Sequence, residues 1–187
     1  MIMRIGYLFI LIIIASANLP AQEKLKFHSQ NYVGLLSGSY GNSLQLQTIN
    51  GLQWKTLFAG LGTGLDYYYF RSVPLFLSVN KFICPCQRSF FFNVDGGVNW
   101  VWETASMKNN FWTTSDYSPS LYWGAGFGYK IGLKNNRDAF MMGLGYSSKH
   151  VKENIRSAFP CQVPPCPDAE RYDYRLNRLS LKVGWQF

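Results

Sequence analysis

The chain has 187 residues, of which 17% are aromatic and 15% charged, and its 18 basic against 10 acidic residues give a formal net charge of +8. Such a length suits one domain, and the positive balance suits a partner that carries phosphates. No nucleic-acid-binding motif is visible, so nucleic acid is not an expected partner. No apolar run reaches the roughly 20 residues that a membrane-spanning helix needs.

The first element is a leader. Met1-Ile2-Met3-Arg4 carries one positive charge, Leu8-Phe9-Ile10-Leu11-Ile12-Ile13-Ile14 is a short apolar core, and small residues follow at Ala15-Ser16-Ala17 and Ala21. This is the layout of a secretory signal peptide cleaved after Ala17 or Ala21. The expected division is therefore a signal peptide over 1–21 and one β-barrel domain over 22–187. No cysteine follows the apolar core, so a lipid-anchored form is not expected.

From there the chain reads as eight strands, near 31–39, 44–54, 57–69, 73–83, 89–103, 118–133, 138–150 and 172–187. In the third, Leu57, Ala59, Leu61, Thr63, Leu65 and Tyr67 alternate with Phe58, Gly60, Gly62, Gly64 and Asp66. Cys84-Pro85-Cys86 follows the fourth. An exported chain favours disulfides, but one proline between the cysteines makes a tight bridge, and free thiols or metal capture remain alternatives. In the fifth strand, Phe90, Phe92, Val94, Val98, Trp100 and Trp102 oppose Phe91, Asn93, Asp95, Gly97 and Asn99. In the sixth, Leu121, Trp123, Ala125, Phe127, Tyr129, Ile131 and Leu133 oppose Tyr122, four glycines and Lys130. The long links are 104–117 and 151–171; the second contains Cys161 and Cys166, which are expected to bridge each other and staple a proline-rich segment. Lys134-Asn135-Asn136-Arg137 is a short turn. In the last strand Leu179, Leu181, Val183, Trp185 and Phe187 form one face and Arg178, Ser180, Lys182, Gly184 and Gln186 the other.

Which face points outward is a question of volume. A small barrel has room inside for only a few layers of side chains, and the aromatic faces carry too many large residues to fit. The glycine-rich faces suit the crowded interior, so the apolar faces look into lipid. None of the outward positions in the third, fifth and sixth strands is charged, where Lys or Arg at the bilayer midplane would cost about 2–4 kcal/mol. Threading the chain up and down gathers Trp100, Trp102, Trp123, Tyr67 and Tyr146 at one rim. Phe90, Phe92, Trp54, Phe140, Trp185 and Phe187 gather at the other, giving two aromatic belts. The expected fold is all-β, an eight-stranded antiparallel up-and-down transmembrane β-barrel, which has no free edges.

The run Gly60-Leu61-Gly62-Thr63-Gly64-Leu65-Asp66-Tyr67-Tyr68-Tyr69, with Val94-Asp95-Gly96-Gly97-Val98 and the terminal Val183-Gly184-Trp185-Gln186-Phe187, resembles small outer-membrane β-barrels of the outer-membrane protein A and W type. The resemblance implies the cell outer membrane as location, outer-membrane lipid and lipopolysaccharide as partners, and recognition of Phe187 by the barrel assembly machinery. It leaves no room for a peptidoglycan-binding domain. An unidentified protein partner on the extracellular loops 104–117 and 151–171 is expected, since loops on a rigid scaffold carry contacts. No cofactor is expected.

Inside the barrel, Asp66, Asp95 and Glu103 are set against Lys130, Arg178 and Lys182 as an ion network, because an unpaired buried charge costs several kcal/mol. Counting from the strand ends pairs Asp95 with Lys130, reaching toward Lys182, and Asp66 with Arg178. The catalytic alternative is Ser148, His150 and Glu153 at the top of the seventh strand, which resembles the serine, histidine and acidic residue of outer-membrane lipid A deacylases. The order here is Ser-x-His where that family has His-x-Ser. The expected function is a non-enzymatic membrane scaffold or interaction surface, with such an enzyme, or a narrow small-solute or ion conduit, as alternatives.

Overall fold

Period-two alternation has a direct structural outcome: one face of each strand is buried and the other is exposed. The computed structural model describes residues 25–39, 41–68, 70–104, 113–134, 138–157 and 170–187. Its strands are β1 (Lys26–Gly38), β2 (Gly41–Trp54), β3 (Leu57–Tyr67), β4 (Arg71–Phe82), β5 (Arg88–Val101), β6 (Thr113–Ser118), β7 (Ser120–Gly132), β8 (Ala139–Ser157) and β9 (Glu170–Gln186). All pairings are antiparallel, and β1 meets β9 from Gln30↔Gln186 to Ser37↔Leu179, closing the sheet. Phe187 joins this seam by exchanging backbone hydrogen bonds of 2.8 and 3.0 Å with Ser29. The strands β6 and β7 both lie against β8 and act as one barrel strand interrupted at Pro119. The register slips by one residue there, from Ser118↔Lys152 to Tyr122↔Lys149, as expected where a residue without an N–H sits in a bulge. The protein is thus a closed, eight-stranded antiparallel barrel.

Several strands run further than alternation alone indicates. The first begins at Lys26, β6 takes up 113–117 of the expected loop 104–117, and β8 continues to Ser157 within the expected loop 151–171. The reason is physical: beyond the lipid belt at either end both faces of a strand can be polar, so the ladder continues where the pattern stops. The expected leader, the Cys161–Cys166 bridge and residues 135–137 lie outside the described residues.

The outward face is apolar throughout the middle of the barrel. Leu61, Leu77, Phe92, Val94, Leu121 and Leu179 are each about 60% exposed, a continuous apolar surface that only lipid or a partner could cover. Trp100, Trp102, Trp123, Tyr67 and Tyr146 are outward near one end, and Phe90, Phe92, Trp54, Trp185 and Phe187 near the other. The two long links, 102–112 and 158–169, leave the first end, which by the usual asymmetry of such barrels is extracellular, so the second end is periplasmic. The inward face mixes glycine with large rings. Phe76 fills the space over Gly62, Phe91 that over Gly128, and Tyr32 that over Gly184, while Gly97 lies against the Leu75–Phe76 backbone. A Cβ at any of these glycines would overlap the ring or neighbouring backbone, so the glycine ladder is the complement of the aromatic core.

Candidate functional site

The interior is filled in layers. Toward the periplasmic end, Asn80 Nδ2 donates to Gln30 Oε1 at 2.8 Å, and Gln30 Nε2 donates to Gln186 Oε1 at 3.2 Å. Around them Phe58, Phe82, Phe91, Ile49, Met141 and Tyr32 pack as an apolar cluster, with Phe82 two residues nearer that end of β4 than Asn80. Next comes a cavity of about 30 Å³ bordered by Asp95, Lys182, Gln47 and Ser147, with room for about two or three waters. Asp95 Oδ2 lies 3.8 Å from Lys182 Nζ and accepts from Asn93 Nδ2 at 3.3 Å.

The next layer is a fully buried lysine cage. Lys149 Nζ donates to both Asp66 oxygens at 2.6 and 2.5 Å, to Ser72 Oγ at 3.0 Å and to Asn99 Oδ1 at 2.9 Å. Ser72 Oγ in turn donates to Asp66 Oδ1 at 2.5 Å. The rings of Tyr68 and Tyr122 lie 4.5 and 5.2 Å from the ammonium. Arg178 sits beside the cage and donates to the backbone carbonyls of Gly41 and Tyr68. Over this layer Leu36, Tyr68, Val151 and Leu176, with Phe70, Val101, Tyr117 and Tyr174 against them, form an apolar plug.

Beyond the plug, β6 and the outer halves of β8 and β9 continue as a three-stranded ledge. Its inner side carries Glu153, which accepts from Tyr117 at 2.8 Å and Tyr174 at 3.2 Å. Burial, and then the hydrogen bond to Glu153, raise the Tyr117 phenol above its ordinary range. Its outer side carries Lys152, Arg156, Arg171 and Arg175, all exposed, with Asp173 opposite Lys152. Below this basic strip, on the lipid-facing wall, lies an apolar groove of about 800 Å³ lined by Leu35, Phe127, Leu144, Tyr146, Leu179 and Leu181. A rise of about 3.3 Å per residue puts Arg175 roughly 13 Å along β9 from Leu179.

The lumen residues expected from sequence sit as follows. Asp66, Asp95, Arg178 and Lys182 project inward; the reach of Asp95 to Lys182 is as expected, whereas Asp95–Lys130 and Asp66–Arg178 are replaced by other contacts. Asp95 faces Lys182, while Lys130 lies lower, with its ammonium 4.7 Å from the Phe82 ring. The expected Asp95–Lys130 pair fails because the register matches Asp95 with Gly124 and Lys130 with Ser89; strand stagger makes equal counts from the ends unequal depths. Asp66 takes Lys149 instead of Arg178. Glu103 lies past the end of β5, where its Oε1 accepts the Tyr117 N–H at 3.4 Å, above the lumen. Parity would have found Lys149: an outward Tyr146 turns residues 147 and 149 inward. The Ser148, His150 and Glu153 set does not assemble. Ser148 Oγ donates to Asn177 Oδ1 at 2.8 Å, and Glu153 is on the opposite face of β8, held by two tyrosines. Cys84 and Cys86 are joined by a disulfide in the β4–β5 turn.

No protein-family model matches the chain, and no curated protein does. Among solved structures, the outer membrane protein OprG from Pseudomonas aeruginosa aligns with a TM-score of 0.55 over 88% of this chain and 95% of that one, at 10% identity. The outer membrane protein AlkL, solved in DMPC lipid bilayers, aligns with a TM-score of 0.50 over 91% and 94%, at 13% identity. With its closed sheet and apolar outer belt, the chain has the fold of small eight-stranded outer-membrane β-barrels.

Proposed function

We propose that this barrel is a non-enzymatic scaffold that grips lipopolysaccharide on its outer wall and holds its extracellular ledge at the membrane surface for interaction. The observation that carries this reading is the basic strip of Lys152, Arg156, Arg171 and Arg175 standing on the same strands as the apolar groove below it. An amphiphile with phosphates at headgroup level and acyl chains beneath matches both, one by charge and the other by burial. The packed lumen speaks against a conduit through the barrel, and the dispersal of Ser148 and Glu153 to opposite faces speaks against acyl-ester hydrolysis there.

The test is lipopolysaccharide retention. A cation near an anionic membrane surface is worth about 1 kcal/mol, so the double variant Arg171→Ala, Arg175→Ala should lose about 2 kcal/mol, roughly thirtyfold in affinity for labelled lipopolysaccharide in detergent. Binding at the parent's level would overturn the reading. In planar bilayers the parent should give no stepwise conductance; steady channel openings would favour the conduit instead.

A further inference from the structure

We infer that the Cys84–Cys86 pair is a redox-active site on the periplasmic rim, accepting two electrons from thiols presented there. This stands apart from the lipopolysaccharide reading, since it concerns the other end of the barrel. The first observation is that the bridge has little structural work. The chain-entropy gain from a crosslink grows with the loop it closes, and this one encloses a single residue, Pro85, with its Cα atoms 5.2 Å apart. The turn is also already fixed by backbone bonds. Ile83 N–H donates to Phe90 O at 2.9 Å, Phe82 N–H to Thr56 O at 2.7 Å, and Gly132 N–H to Gln87 O at 2.5 Å.

The second observation is access. Pro85 and Cys86 are exposed and Cys84 is half-buried, and exposed disulfides are the exchangeable ones. The third is charge. From residue 81 to 94 the chain has Lys81 and Arg88 and no acidic residue, a local field that favours a thiolate leaving group.

The exchange balances without a further reactant. A thiolate attacks Cys86 Sγ, the new S–S bond forms as the Cys84–Cys86 bond breaks, and the electron pair leaves on Cys84 Sγ, which takes a proton from water. A second thiolate then attacks the sulfur of the first reagent, releasing Cys86 as a thiolate. The net change is two thiols oxidised to one disulfide and the bridge reduced to two thiols.

The test uses the full-length barrel in detergent with Cys161→Ser and Cys166→Ser. It is equilibrated with graded ratios of reduced to oxidised glutathione and then alkylated with a mass-tagged maleimide. The expected result is a gain of two tags per chain as the ratio rises, with the folded, heat-modifiable band retained. Cys84→Ser, which leaves Cys86 alone, should accumulate a glutathione adduct. A pair that stays closed until the barrel is denatured would overturn the inference. So would loss of the folded band on reduction, since that would make the bridge structural.

Discussion

A lysine ammonium that no water reaches must be balanced by the protein, and Lys149 is balanced by one carboxylate, one hydroxyl, one amide oxygen and two tyrosine rings. Removing one member of a buried pair leaves the other charge unanswered, a loss of about 3–5 kcal/mol. Asp66→Ala should therefore lower the unfolding free energy by that amount, obtained from the midpoint and slope of a urea titration of the folded band. The double variant Asp66→Leu, Lys149→Met should cost less than Asp66→Ala alone, because an apolar pair of similar volume leaves no buried charge. A double variant worse than the single would mean that the cage also specifies the barrel's packing. The inward position of Asp66 and Asp95 was legible from alternation alone. The Lys149 partner of Asp66 and the separation of Asp95 from Lys130 were not, because depth in a tilted barrel depends on stagger, which a single strand's sequence does not carry.

Strands in this barrel are fitted to each other by size across the lumen, with glycine on one strand facing a ring from the next. The Phe76 ring lies where a Cβ on Gly62 would go, with Ile49 beside it. Overpacking of this kind costs about 1–3 kcal/mol, so Gly62→Ala should destabilise the barrel by that much. The obstructing atoms are the far end of the Phe76 ring, so Phe76→Leu should relieve the clash. The double variant should then lose less than the sum of the two single losses, measured by the same urea titration; strict additivity would show that β3 and β4 do not meet in this way. The glycine face of the third strand was plain in the sequence, which is why the lipid-facing side could be assigned. The ledge was not plain. In β8 beyond His150 the buried Val151 faces inward and the exposed Lys152 and Arg156 face outward, the reverse of the pattern in the lipid belt, and the continued ladder from Val151↔Tyr174 to Ile155↔Glu170 shows that these residues are strand.

At the scale of the whole barrel, closure depends on the seam between the first and last strands, and the seam ends on the terminal residue. Phe187 contributes two backbone hydrogen bonds to Ser29 and an outward ring in the periplasmic aromatic belt. These are separable. Phe187→Ala keeps the backbone bonds and removes the ring, while deletion of Phe187 removes both. Two hydrogen bonds at about 0.5–1.5 kcal/mol each make the deletion less stable than Phe187→Ala when both are refolded in detergent and titrated with urea. In cells, a reader of the terminal aromatic would not distinguish the two variants, since both lack the ring. Both should then show the same reduced fraction of folded barrel in the outer membrane, despite their different stabilities. If the folded fraction in cells instead follows the urea midpoints, seam stability governs assembly and Phe187 acts only as the last rung of β9.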